Sequence, residues 1–282
     1  MKYINWFISC FILLTLFSCS GEDPQVADDG TEKKTLALDT NVVFESERFE
    51  FILPQPFALI TSFEEVGLTY HPDKTNPIEN VNEYTTRGDQ LINFGVYSAD
   101  LIYCIINEQH QQSILYFNAI KTLAEKFGMG AVFTENELAI EIEKNIANRS
   151  ELEGLLVDVH ERSQEYLEDN QMKYLAAIQF SGAWVEGMYL ASTDFVSSKT
   201  DIGPKLIDQM SLLKNTIIGL QLYEERDVEI ETILNELKAF ETVYANLDSV
   251  KSASVNENPT LTKQEIKIIA DKIAAIRNLI IS

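Results

Sequence analysis

Two carboxylates in this 282-residue chain stand where acid–base chemistry is conceivable. Asp100 lies among Tyr97, Tyr103 and Cys104, and Glu186 lies in a stretch from Lys173 to Lys199 with no basic residue in between. Carboxylates in unlike environments can divide the roles of general acid and general base. Each also has a structural reading. At about 100° per residue, Asp100 shares a helix face with Asn93, Asn107, Gln111 and Asn118, opposite Leu91, Phe94, Ile102 and Ile105. Such a stripe meets solvent, pairs with another helix or lines a cleft. The helix around Glu186 is apolar or small in nearly every direction, and helices of that kind are buried. Gln179, Gly182, Tyr189 and Thr193 form a polar stripe with Glu186, and Gly182 is expected to leave space beside the carboxylate. Trp184 points about 160° away and is expected to pack. A buried carboxylate needs a proton or a partner, here an Arg, Lys or other donor on a neighbouring helix. Asp100, Gln179, Gly182, Glu186, Tyr189 and Thr193 therefore form a candidate polar pocket. The alternative is a hydrogen-bonded carboxylate that fixes helix register.

Other chemistries find no support. His71, His110 and His160 lie in separate segments, and none has a Glu three residues before it, as a carboxylate di-iron bundle would require. There is no H-E-x-x-H and no closely spaced cysteine pair, so no metal is expected. A G-x-S-x-G elbow and a phosphate-binding glycine loop are also missing, so no catalytic residue and no cofactor is assigned. His110 and His160 are expected on solvated faces.

The N-terminus carries a different signal. After Lys2 an apolar run extends from Ile4 to Phe17. Fourteen residues at about 1.5 Å each reach roughly 21 Å, short of a hydrocarbon core of about 30 Å. A run of that length after a basic start reads as a secretory signal. It ends in Leu16-Phe17-Ser18-Cys19, which resembles the bacterial lipobox. The resemblance implies cleavage before Cys19 and a lipid on that residue, with the membrane as its partner. The acidic, Ser-, Gly- and Pro-bearing segment that follows reads as a flexible tether. Glu22 and Asp23 resemble the acidic export signal of surface lipoproteins of the Bacteroidota, which points to the outer membrane, on its periplasmic or cell-surface face. Cys104 then has no disulfide partner and reads as a small core hydrophobe.

The elements that must position these residues are helical. The chain holds only 12 Gly and 7 Pro, far below the about 12% of average usage, which disfavours a loop-rich β fold. Forty-four acidic residues against 22 basic ones, a net charge of -22, disfavour nucleic acid, whose phosphates need a basic surface. Arg48-Phe49-Glu50-Phe51 alternates like a short strand. Pro54 and Pro56 open a helix running through Val66, and His71-Pro72 and Asn76-Pro77 mark a loop. One long helix is expected from Thr86 to Phe127, stopped by Gly128. Capping boxes at Thr134…Glu137 and Ser150…Glu153 start helices to about Asn148 and Glu168. An apolar helix over Met172–Ser197 comes next. Helices near Pro204–Glu224, Asp227–Val250 and Thr262–Ile280 follow, the last with the box Thr262…Glu265. Their seams, such as Ile266, Ile269, Ile273, Ile276 and Ile280, recur at three- and four-residue steps and make helices that pack side by side. An echo between Ile92–Tyr97 and Ile178–Trp184 reads as chance likeness between apolar helices.

The expected fold is all-α, a multi-helix bundle of about eight helices. Residues 1–18 form the signal, 19–45 the lipidated tether and 46–282 the helical domain. Leu53-Pro54 through Tyr70, Phe94-Gly-Val-Tyr-Ser-Ala-Asp-Leu-Ile-Tyr103 and Gly182-Ala-Trp-Val-Glu-Gly-Met-Tyr189 resemble helical lipoproteins of the Bacteroidota. That likeness implies the location and the fold and carries no activity. The expected function is a membrane-anchored lipoprotein, a non-catalytic binding or interaction module of the cell envelope with an open choice of protein or small-molecule partner. The alternatives are a hydrolase-like enzyme using Asp100 and Glu186, and a purely structural or assembly lipoprotein.

Overall fold

Two helices without a polar face set the architecture, because each must be surrounded by others. The computed structural model describes residues 56–64, 67–133, 136–145, 147–195, 201–253 and 259–282. Among them run ten α-helices and no strand. In order these are α1 (Pro56–Glu64), α2 (Arg87–Ile106), α3 (His110–Lys126), α4 (Asn136–Asn145), α5 (Arg149–Asp169), α6 (Tyr174–Phe195), α7 (Gly203–Leu222), α8 (Val228–Ala245), α9 (Asp248–Ser252) and α10 (Lys263–Ile281). The protein is all-α. The signal, Cys19, the tether, the Arg48–Phe51 alternation and the start of the Thr134 box lie outside the described residues.

α2 and α6 form the centre. α2 also packs on α1, α3, α8 and α10, and α6 on α1, α7 and α10. They run parallel: Arg87 Nη2 approaches Met172 Sδ at 4.0 Å near their starts, and their carboxylates meet further along. The crossing is tight because it is built on glycine. A Cβ on Gly95 would lie 1.8 Å from the Gln179 carbonyl oxygen, and one on Gly182 would lie 1.9 Å from that of Ile92. The two echoing segments therefore face each other across a single crossing. Gly182 does not leave space beside Glu186, as the sequence suggested; the α2 backbone fills it. Trp184 is fully buried and meets Phe240 edge-on at 5.8 Å, a geometry worth about 0.5–1.5 kcal/mol beyond burial.

The two helices beyond eight come from breaks inside expected ones. The segment 86–127 splits into α2 and α3. Gln109 N–H donates to Cys104 O at 2.8 Å and Glu108 N–H to Ile105 O at 3.0 Å, with Glu108 at φ 56°. This is a Schellman ending. A residue other than Gly occupies the left-handed position, so the sequence lacks the usual stop signal. Gln111 and Asn118 thus do not continue the face of Asp100, which ends at the α2 cap Asn107. The second break separates α8 from α9, where Leu247 turns inward. At the start of α5 the cap is Asn148, which accepts from Glu151 N–H at 3.4 Å, not Ser150. The Thr262…Glu265 box is present in full, and every Ile of the α10 seam is buried.

Candidate functional site

Burial of α2 and α6 brings Asp100 and Glu186 together inside the protein, both with no exposed surface. α10 supplies the cation. Arg277 donates from Nε to Glu186 Oε2 at 2.7 Å and from Nη2 to Oε1 at 3.0 Å. This two-pronged pairing matches the fork of a guanidinium to a carboxylate. The Arg277 guanidinium also lies 4.2 Å from the ring centre of Tyr189, one turn along from Glu186, and donates to Lys74 O at 2.8 Å. Asp100 accepts from Asn76 N–H at 3.0 Å through Oδ2. Its other oxygen finds no donor and lies beside Glu186.

Two acids and one base in a dry site cannot all be charged cheaply. Burial first, and the Glu186 charge second, push the Asp100 carboxyl well above the usual range. Burial also raises Glu186, but the Arg277 charge and its hydrogen bonds oppose that shift. The assignment that follows is an ionised Glu186 against Arg277 and a protonated Asp100. The proton on Asp100 Oδ1 converts an acceptor without a donor into a donor toward Glu186. The cluster is then neutral.

The cluster faces the loop 69–77, and hydroxyls from α2 and α3 complete the attachment. Tyr103 Oη donates to Thr69 O and accepts from His71 N–H at 2.8 Å. Tyr97 Oη donates to Pro77 O at 2.8 Å, and Tyr116 Oη donates to Asn76 O at 3.0 Å. Asn76, fully buried, donates through Nδ2 to Tyr84 Oη at 2.9 Å. Buried backbone groups require partners, and this loop receives them from side chains. Sequence reasoning missed Arg277, Asn76 and the tyrosine hydroxyls as members of the site. Only the absence of a cation near Glu186 hinted that one must arrive from elsewhere. Cys104 is buried beside this network, and burial raises its thiol pKa.

The remaining candidate residues divide. Gln179 is not with Glu186; its Nε2 lies 3.6 Å from Met129 Sδ, and it lines a separate cavity. The α2 backbone at Gly182 separates the two. The Thr193 side chain lies outside the described residues. His110 is exposed, while His160 is half-buried and faces that same cavity, not bulk solvent alone. Among the described residues no group of three or more His, Cys, Asp and Glu could hold a metal ion. No described helix is long and apolar enough to cross a membrane.

Comparison of the chain with protein-family models, with curated proteins and with solved structures finds no match.

Proposed function

We propose that the chain is a lipid-anchored, non-catalytic binding module of the bacterial cell envelope, held to the outer membrane through Cys19. The anchoring rests on the length of the apolar run and on Leu16-Phe17-Ser18-Cys19. The binding role rests on one observation: the candidate acid–base pair is committed within the fold. Glu186 spends both oxygens on Arg277, and Asp100 spends one on Asn76 and turns the other to Glu186. A general acid must come within hydrogen-bond reach of its substrate, and neither group has exposed surface. A concave feature with uncommitted polar groups is the cavity that Gln179 and His160 line.

Labelling with a palmitate analogue should mark the wild type, and Cys19→Ala should lose both the label and membrane attachment. Equal labelling of the two defeats the anchor. Small molecules extracted from the natively purified protein should be retained unchanged, by Asp100→Asn as by wild type. Conversion of such a molecule by wild type, lost in Asp100→Asn, would restore the enzymatic reading.

A further inference from the structure

α5 covers its neighbours with a half-buried inner face, on which Leu155, Leu156 and Val159 pack against the core. Its fully buried residues are Leu152 and Leu167, one near each end. Near its start Arg149 pairs with Glu64, and near its end Tyr166 Oη donates to Gly128 O at 2.8 Å. Between them, Leu156, Val159 and His160 are half-buried and stand over a cavity of ≈ 110 Å³. The opposite walls come from α2, α3 and α6 and from the 3-10 turn Gly130–Phe133, with Phe94, Phe117, Phe133 and Phe180 among them.

The polar groups of this lining differ in what they have left to offer. Ser98 and Ser163 donate to carbonyls of their own helices, Phe94 O and Val159 O, each at 2.7 Å. Gln179 uses its amide nitrogen on Met129 Sδ, which leaves its oxygen uncommitted, and the exposed Gln164 makes no hydrogen bond among the described residues. His160 makes no hydrogen bond among the described residues, and burial lowers its pKa against the opposing charge of Glu161. The imidazole is therefore neutral and presents an acceptor. No Lys, Arg, Asp or Glu lines the cavity.

We infer that the cavity beneath α5 binds a small neutral aromatic molecule carrying one hydroxyl or N–H group. The size argument is direct, since an apolar cavity of about 150 Å³ takes up benzene. A space of ≈ 110 Å³ is on the scale of one ring. Phenylalanine walls favour a ring by edge and face contacts. A hydroxyl would pair with the His160 nitrogen or the Gln179 oxygen, both on half-buried side chains of the lining. A carboxylate on the ring would be buried without a cation, so anions are rejected. The inference deepens the binding-module reading and rests on it.

The test is titration of the full chain with phenol, toluene and benzoate, followed by ligand-detected NMR and by the melting temperature. Phenol should bind and raise the melting temperature. Toluene should bind several-fold more weakly, and benzoate at least tenfold more weakly than phenol. Ala176→Leu and Ser98→Leu, on two different walls, should each abolish phenol binding while the chain keeps a cooperative melt. His160→Leu should bring phenol down to the affinity of toluene. No binding by the folded wild type, or binding undiminished in both wall variants, overturns the inference. That result leaves the Cys19 labelling and the extraction of a native ligand standing as separate tests of the module itself.

Discussion

Replacing Asp100 by Asn reads out where the buried proton sits. An unfolded Asp titrates near about 3.9, whereas burial and the neighbouring Glu186 charge hold the folded group far higher. Between those two values the folded chain binds one more proton than the unfolded chain. Its stability must then fall as pH rises, by about 1.4 kcal/mol per unit. The contribution is whole below about pH 3.9 and disappears as pH climbs through the folded pKa. Asn carries the equivalent of that proton at every pH: its oxygen accepts from Asn76 N–H and its amide donates toward Glu186. The variant should match wild type near pH 4 and gain on it by about 1.4 kcal/mol per unit until the folded pKa is reached. Glu186→Gln tests the other half, because losing that charge allows Asp100 to ionise against Arg277. The double variant leaves the guanidinium with no anion and should lose about 3 kcal/mol beyond the sum of the single changes. Denaturant unfolding from pH 4 to 8, followed by circular dichroism, measures all four proteins. A wild-type-to-Asn difference that does not change with pH, or strictly additive costs, refutes the protonation scheme.

Arg277→Met should lose about 3–5 kcal/mol in denaturant unfolding, since it strands Glu186 and the Lys74 carbonyl; a loss under 1 kcal/mol would show that the pair is not closed. Gly95→Ala must push α2 off α6, because its Cβ would meet the Gln179 carbonyl at 1.8 Å; the cost should reach about 3 kcal/mol or more. Gly154→Ala, with open space around it, should instead gain about 0.5–1 kcal/mol by helix propensity, and equal effects at the two sites would contradict the crossing. Burial acts to raise Glu265, but hydrogen bonds from Ser249 and Thr262 outweigh it and bring the group down to about 2. Its stabilisation is therefore present above about pH 4.3 and is lost as pH falls through 2, so Glu265→Gln should flatten the acid limb of a pH–stability profile.

The helices were legible wherever local chemistry decides them. The α10 seam, its capping box and the Gly128 stop are all short-range patterns. Breaks without glycine were not legible: Glu108 adopts the left-handed region with nothing in its identity to announce it. Site partners were hidden for another reason. That Glu186 would be buried follows from the apolar helix around it, but Arg277 lies 91 residues away on a helix whose periodicity places it merely beside the Ile seam. Which residues meet across α2 and α6 depends on where the helices cross. The glycines 95 and 182 mark that point only once the two helices are known to be parallel neighbours. The same crossing separates Gln179 from Glu186, although helical spacing puts them on one stripe.

The chemistry of the interior also bears on where function can lie. A buried pair of acids with one base looks like a poised catalytic site, since perturbed carboxyls cluster at such sites. Here each oxygen answers a structural need. The loop 69–77 carries Pro72 and Pro77 and crosses a buried surface, so its backbone has no ladder of its own to join. Arg277 closes on Lys74 O, Asp100 on Asn76 N–H, and three tyrosine hydroxyls on Thr69, Asn76 and Pro77. Glu186, Asp100 and Asn76 have no exposed surface, so removing one of their partners leaves a polar group without water, which makes the cluster unsuited to open for a substrate. The cavity beneath α5 has the opposite properties. Its covering helix turns a half-buried face to it, and its lining residues His160, Gln164 and Gln179 have capacity left over. Recognition requires spare valence, and at this cavity His160, Gln164 and Gln179 hold it.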